Sequence, residues 1–262
     1  MREKAIAALA GLVTGAAAGL VGVGGGEFRM PVLVRIVKFP LRTAAGVNLV
    51  VGLATVTVSL WRRWAQRTVL WDEINIAVVM IAASLMGSVI GSLLRKRLRV
   101  PVLRTTVSIY LVIVGAWMVY EAITHTDYGF SGPSGVWRVV LAFIIAFVIA
   151  VVSGVFGVAG GEMRIPALMY LFGIPIKAAG TLSLLVSIPT VAGAAVTDRR
   201  IGHLPNKVLA PALILAVASI VGVLVGASFV ATISQQATKG VLGVILILAT
   251  VRMATAELDT KE

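Results

Sequence analysis

Two short runs carry the residue types and spacings that could do chemistry. The first, VGVGGGEFRMP, holds Gly24, Gly25, Gly26, Glu27, Arg29 and Pro31; the second, GVAGGEMRIP, holds Gly160, Gly161, Glu162, Arg164 and Pro166. A glycine run within apolar sequence predicts an interrupted helix, because each glycine costs about 1 kcal/mol of helical preference relative to alanine. The proline that follows suits the first turn of a new helix, where its missing N–H would be unpaired anyway. A helix that starts at such a break turns unpaired N–H groups and a partial positive charge toward whatever lies before it, which is the chemistry of anion binding. Arg29 and Arg164 then read as counter-charges, since a guanidinium fork matches sulfonate or carboxylate oxygens. The alternative is that Glu27 with Arg29, and Glu162 with Arg164, neutralise one another and only fix the backbone. Both readings stand at this point.

Polar residues of the following apolar stretch are expected to face the breaks: Thr43 and Asn48 after the first, Thr181 and Ser183 after the second. Such side chains bond helices together about as readily as they contact a ligand. Gly11, Gly15, Gly19, Gly87 and Gly91 fit close helix packing instead. The chain has no cysteine, and its two histidines, His125 and His203, fall in connecting segments. No nucleophile and base meet at depth, so an enzyme is not expected, and neither is a cofactor. A cation or metal carrier using Glu27 and Glu162 is the weaker alternative, because two carboxylates there have no histidine or cysteine support.

The elements that must position these residues are apolar helices. Of 262 residues 59% are hydrophobic and 13% charged, against about 25% charged in a soluble domain. Eight stretches, about 5–22, 41–61, 74–94, 102–123, 136–157, 176–196, 206–229 and 237–254, are long enough for bilayer spans of roughly 17–25 residues. The first has a basic lead, Arg2 and Lys4, like a secretory signal. Its glycine-rich end recurs in the second half of the chain, so cleavage is not expected. The net charge of +12 arises from basic residues crowded at the ends of apolar stretches, which reads as topology anchoring at lipid headgroups rather than nucleic-acid binding.

The chain is a tandem repeat. GLVGVGGGEFRMPVL (19–33) aligned on GVFGVAGGEMRIPAL (154–168) matches at nine of fifteen positions. The same offset carries Pro40 onto Pro175, Leu49 onto Leu184, Asn48 onto Ser183, Thr55-Val56 onto Thr190-Val191, and ASLMGSVIG (83–91) onto ASIVGVLVG (218–226). The expected organisation is a first membrane repeat over 1–123, a connecting loop over 124–135 and a second repeat over 136–262. If each broken stretch and its short successor form a re-entrant pair, three crossings remain per half and the halves are inverted. Fifteen Lys and Arg then collect on one side, against Arg62, Arg63, Arg67, Arg138, Lys177 and Lys239 on the other. That asymmetry puts both termini in the cytoplasm. The predicted fold class is therefore an all-α polytopic membrane protein of two inverted-topology helical repeats, each with a glycine-broken, re-entrant helix pair.

The doubled pattern GVGGGEFRMPVL and GVAGGEMRIPAL, each followed by P-x-[RK]-x-A and an apolar span, resembles the TauE/SafE sulfite exporter family, also called the toluene sulfonate uptake permeases. The resemblance covers essentially the whole chain. It implies transport of sulfite, sulfonates or related small anions across the cell (cytoplasmic) membrane, by secondary transport or facilitated diffusion. It carries over Gly25, Gly26 and Pro31, with Gly160, Gly161 and Pro166, as the motif residues. The expected partners are a small organic or inorganic anion and the lipid bilayer, with a homodimer left open as an assembly and nucleic acid excluded. An uncoupled anion channel would use the same helix ends.

Overall fold

A computed structural model describes residues 2–66, 73–95, 100–126, 132–204 and 209–255. The joint over 124–135, the basic segment after α4 and the turn after His203 therefore lie partly outside the described residues. No strand occurs among them. The helices are α1 (Arg2–Val21), α2 (Gly26–Pro31), α3 (Leu41–Ala65), α4 (Ile74–Leu94), α5 (Val100–Thr124), α6 (Gly135–Phe156), α7 (Gly161–Phe172), α8 (Ile176–Arg200), α9 (Leu209–Ser228) and α10 (Gln235–Thr255), with a π-helical turn, Val32–Ile36, continuing α2. The starts of α2 and α7, and both ends of α3 and α8, are 135 residues apart, the same offset as in the sequence.

Five helices are long and apolar enough to cross a bilayer among the described residues: Leu41–Ala65, Ile74–Leu94, Thr105–Thr124, Gly135–Phe156 and Ile176–Arg200. In α1, α9 and α10 the described apolar stretches, Leu9–Val21, Leu215–Ser228 and Gln235–Leu248, are shorter. Of the eight expected spans, five thus meet the length criterion directly. Trp61, Ile123, Val136, Trp137 and Leu213 project outward from the helix ends and flanks, where a bilayer, not water, gives apolar side chains a favourable surround.

Packing joins helices of one half to helices of the other. α1 lies against α9, α4 against α6, α5 against α10 and α3 against α8. Close approach comes from small residues. A β-carbon at Gly87 would stand 2.5 Å from the Phe147 carbonyl oxygen, and one at Gly154 2.5 Å from that of Ser88. At Gly15 and Gly226 it would collide with the carbonyls of Ser219 and Ala16. α3 and α8 run antiparallel: Gly46 near the start of α3 faces Leu204 just past the end of α8, while Arg63 near the end of α3 reaches the Lys177 carbonyl at the start of α8. α5 and α10 are antiparallel too, with Glu121 beside Lys239 and Gly115 beside Gly243.

The short helices start earlier than the prolines predicted. α7 begins at Gly161, so Pro166 is its sixth residue and lies beyond the first turn, and Pro31 closes α2. Glycine is the reason. Gly25 and Gly160, the residues preceding the two helices, have φ of 70° and 73°, a left-handed conformation that glycine adopts without strain. Helix can therefore start at once after each break. Pro31, with no N–H to offer the preceding turn, is followed by the π-helical turn, where the Val37 N–H reaches back to the Val32 carbonyl at 3.0 Å.

Candidate functional site

The two interruptions touch. A β-carbon at Gly161 would lie 2.8 Å from the Cα of Val23, one at Gly24 3.0 Å from the Ala159 side chain, and one at Gly26 3.5 Å from Val158. Gly22 abuts Gly180, and their counterparts across the repeat, Gly157 and Ala45, abut in the same way. Non-helical backbone from the two halves of the chain therefore meets at this contact.

Each short helix places an arginine at its fourth residue, and both guanidinium groups are fully buried. Arg29 donates from Nε to Asn48 Oδ1 at 3.2 Å and from Nη2 to the Gly24 carbonyl at 2.8 Å. Thr55 Oγ1 also donates to the Gly24 carbonyl, at 3.3 Å. Asn48 then donates from Nδ2 to the Gly157 carbonyl of the opposite break at 2.8 Å. One carboxamide therefore ties the first arginine to the second interruption. Arg164 is held differently: its Nη1 donates to the Ser183 carbonyl at 3.1 Å and to Ser187 Oγ at 2.8 Å, both on α8. Ser187 Oγ reaches the Ala159 carbonyl, the counterpart of Gly24, at 3.5 Å.

Glu162 is buried in the first turn of α7, where the helix dipole favours a negative charge, and it is an electrostatic neighbour of Arg164 and Tyr110. The side chains of Glu27 and Pro31 lie outside the described ones. Thr181 is not brought to Arg164. It sits beside the first interruption, where the neighbouring Gly180 abuts Gly22, and its Oγ1 accepts from Arg63 Nη1 at 3.4 Å. Its spacing from Ser183 puts it on another face of α8, because residues two apart on a helix do not face the same way.

The sequence reading missed a pair of charged clamps on the ends of α1 and α6. Arg63, buried on α3, donates to the carbonyls of Gly19 (3.2 Å from Nη2) and Leu20 (2.7 Å) at the end of α1. In the second half the equivalent carbonyls, those of Gly154 and Val155, also receive a guanidinium, at 2.6 and 2.9 Å. It comes from Arg95, just past α4, and Arg95 is held by Asp198 at 2.7 Å. Asp198 occupies the position equivalent to Arg63. A cation on the last carbonyls of a helix satisfies orphaned acceptors and opposes the dipole. In the sequence both arginines read as charges at the ends of apolar stretches; the charge reversal between positions 63 and 198 is the available signal. His203, expected in a connecting segment, is buried there with Nδ1 3.7 Å from Asp198.

Long apolar helices packed through small residues are the architecture of a multi-pass membrane protein. Residues 7–255 match the model of the sulfite exporter TauE/SafE family, and the chain belongs to that family. It is also 25% identical over 224 residues to the probable membrane transporter protein YunE of Bacillus subtilis (strain 168), across 78% of this chain and 81% of that one.

Proposed function

We propose that the chain is a secondary transporter of small oxyanions, sulfite or organosulfonates, across the cytoplasmic membrane, with the anion bound where the two glycine interruptions meet. The observation that carries this reading is the meeting itself: two interrupted helices, each with a buried arginine at its fourth residue, converge from opposite halves of the chain. Helix starts of this kind, brought together inside a membrane, recur as substrate sites in inverted-repeat carriers. The antiparallel packing of equivalent helices, α3 on α8 and α5 on α10, supports inverted halves. The skew of basic residues supports cytoplasmic termini. The family's name points to sulfite.

The test is uptake of labelled sulfite by the purified protein in liposomes. Saturable uptake with counterflow from preloaded unlabelled sulfite is the expected result, and Gly161→Leu abolishes it, since a side chain there meets the Val23 backbone in front of the α7 N-terminus. Flux that neither saturates nor shows counterflow would make the protein a channel. Flux requiring Glu162 and a metal cation, but no oxyanion, would overturn the proposal.

A further inference from the structure

The two arginines occupy equivalent positions but their forks are not equivalently filled. A guanidinium offers Nε–H and the neighbouring Nη2–H along one edge, the geometry that takes a planar or pyramidal oxyanion in two parallel hydrogen bonds. In Arg29 that edge is occupied from within the protein, by Asn48 Oδ1 and the Gly24 carbonyl. In Arg164 the anchoring bonds are all made by Nη1, and neither Nε nor Nη2 has a hydrogen-bond partner among the described residues. The residue equivalent to Asn48 is Ser183, whose shorter side chain supplies no carbonyl, and its Oγ is also without a partner among the described residues. Leaving such buried donors unmatched is costly.

A second feature lies beside them. α7 has twelve residues, and its preceding residue Gly160 provides no side-chain cap. The N–H groups of Gly161, Glu162 and Met163 precede the first helical hydrogen bond, which the Arg164 N–H makes to the Gly160 carbonyl at 3.0 Å.

We infer that the anion site is one-sided: the oxyanion is taken by the Nε/Nη2 edge of Arg164, with the Ser183 hydroxyl and the start of α7, while Arg29 is a structural element that Asn48 satisfies internally. This rests on the transport reading above and assigns its ligand groups. Two oxygens on one centre, as in sulfite, a sulfonate or a carboxylate, fit that edge; a halide does not use it. Ser183→Asn is the discriminating change, because it offers the edge the carboxamide that Arg29 already has, without altering any charge.

Isothermal titration of the purified full chain with sulfite and with methanesulfonate tests this. Arg164→Gln and Ser183→Asn should each weaken binding of both by about tenfold or more, the loss of one charge-assisted pair. Arg164→Lys, which keeps the charge and loses the fork, should also weaken it. If Arg164→Gln does not fold, Ser183→Asn decides alone. Wild-type affinity in Ser183→Asn, with binding lost in Arg29→Gln, would move the site to the first half and overturn this inference while leaving anion transport intact. A wild-type protein that binds neither sulfite nor methanesulfonate would sink the transport reading as well.

Discussion

Arg63 and Asp198 show how far one position can diverge while the contact it serves stays the same. Both are buried, and both positions serve the final carbonyls of a neighbouring helix, one directly and one through Arg95. Their removal should differ in cost. Arg63→Gln loses bonds from a charged donor to α1, worth about 1.5–3 kcal/mol. Asp198→Asn strands the Arg95 charge in a buried setting, and breaking a buried pair from one side costs about 3–5 kcal/mol. Unfolding of the purified variants in detergent should therefore place Asp198→Asn below Arg63→Gln. The reverse order would mean that Arg95 is neutralised by another group.

At the scale of the helix, glycine does two separate jobs, and substitution distinguishes them. Gly226 in α9 lies so close to the Ala16 carbonyl that any β-carbon collides, whereas a β-carbon at Gly46 in α3 would meet only ordinary contacts, at 3.4 and 3.5 Å. Gly226→Ala should lower the melting temperature. Gly46→Ala should leave it unchanged or raise it, since alanine gains about 1 kcal/mol of helical preference. Equal destabilisation would argue against the α1–α9 contact. Part of this is legible in the sequence: the repeat, the glycine runs that precede α2 and α7, and the small-residue stripes follow from composition and spacing. Other features are not. The sequence points to helix starts at the prolines, because proline's missing N–H is a local signal whereas the left-handed conformations of Gly25 and Gly160 are visible only in three dimensions. Arg63 and Arg95 read in the sequence only as charges at the ends of apolar stretches. Which way a long cationic side chain turns depends on acceptors that for Arg63 lie more than 40 residues away.

For the whole molecule, inverted halves make a prediction about sidedness that a cysteine-free chain tests cleanly. Arg42→Cys and Arg200→Cys should react with an impermeant thiol reagent only from the cytoplasmic face, and Thr232→Cys only from the outside. Labelling of Arg42→Cys and Arg200→Cys from opposite faces would leave the halves parallel. The crossed pairing of helices bears on something else, the chain's ancestry. Because α1 rests on α9 and α4 on α6, a half-length chain using the same surfaces could bury them only against a second copy of itself, as a two-fold homodimer whose interface became the interior once the copies were fused. In such a dimer every position is duplicated by necessity, so a residue that suits one copy is imposed on the other. Fusion removes that obligation. Arg63 opposite Asp198, and Asn48 opposite Ser183, are pairs that symmetry would once have held identical, and they lie at the helix clamps and at the meeting point of the breaks, where unlike partners let one end of the molecule, and one arginine, take up work that its twin does not share.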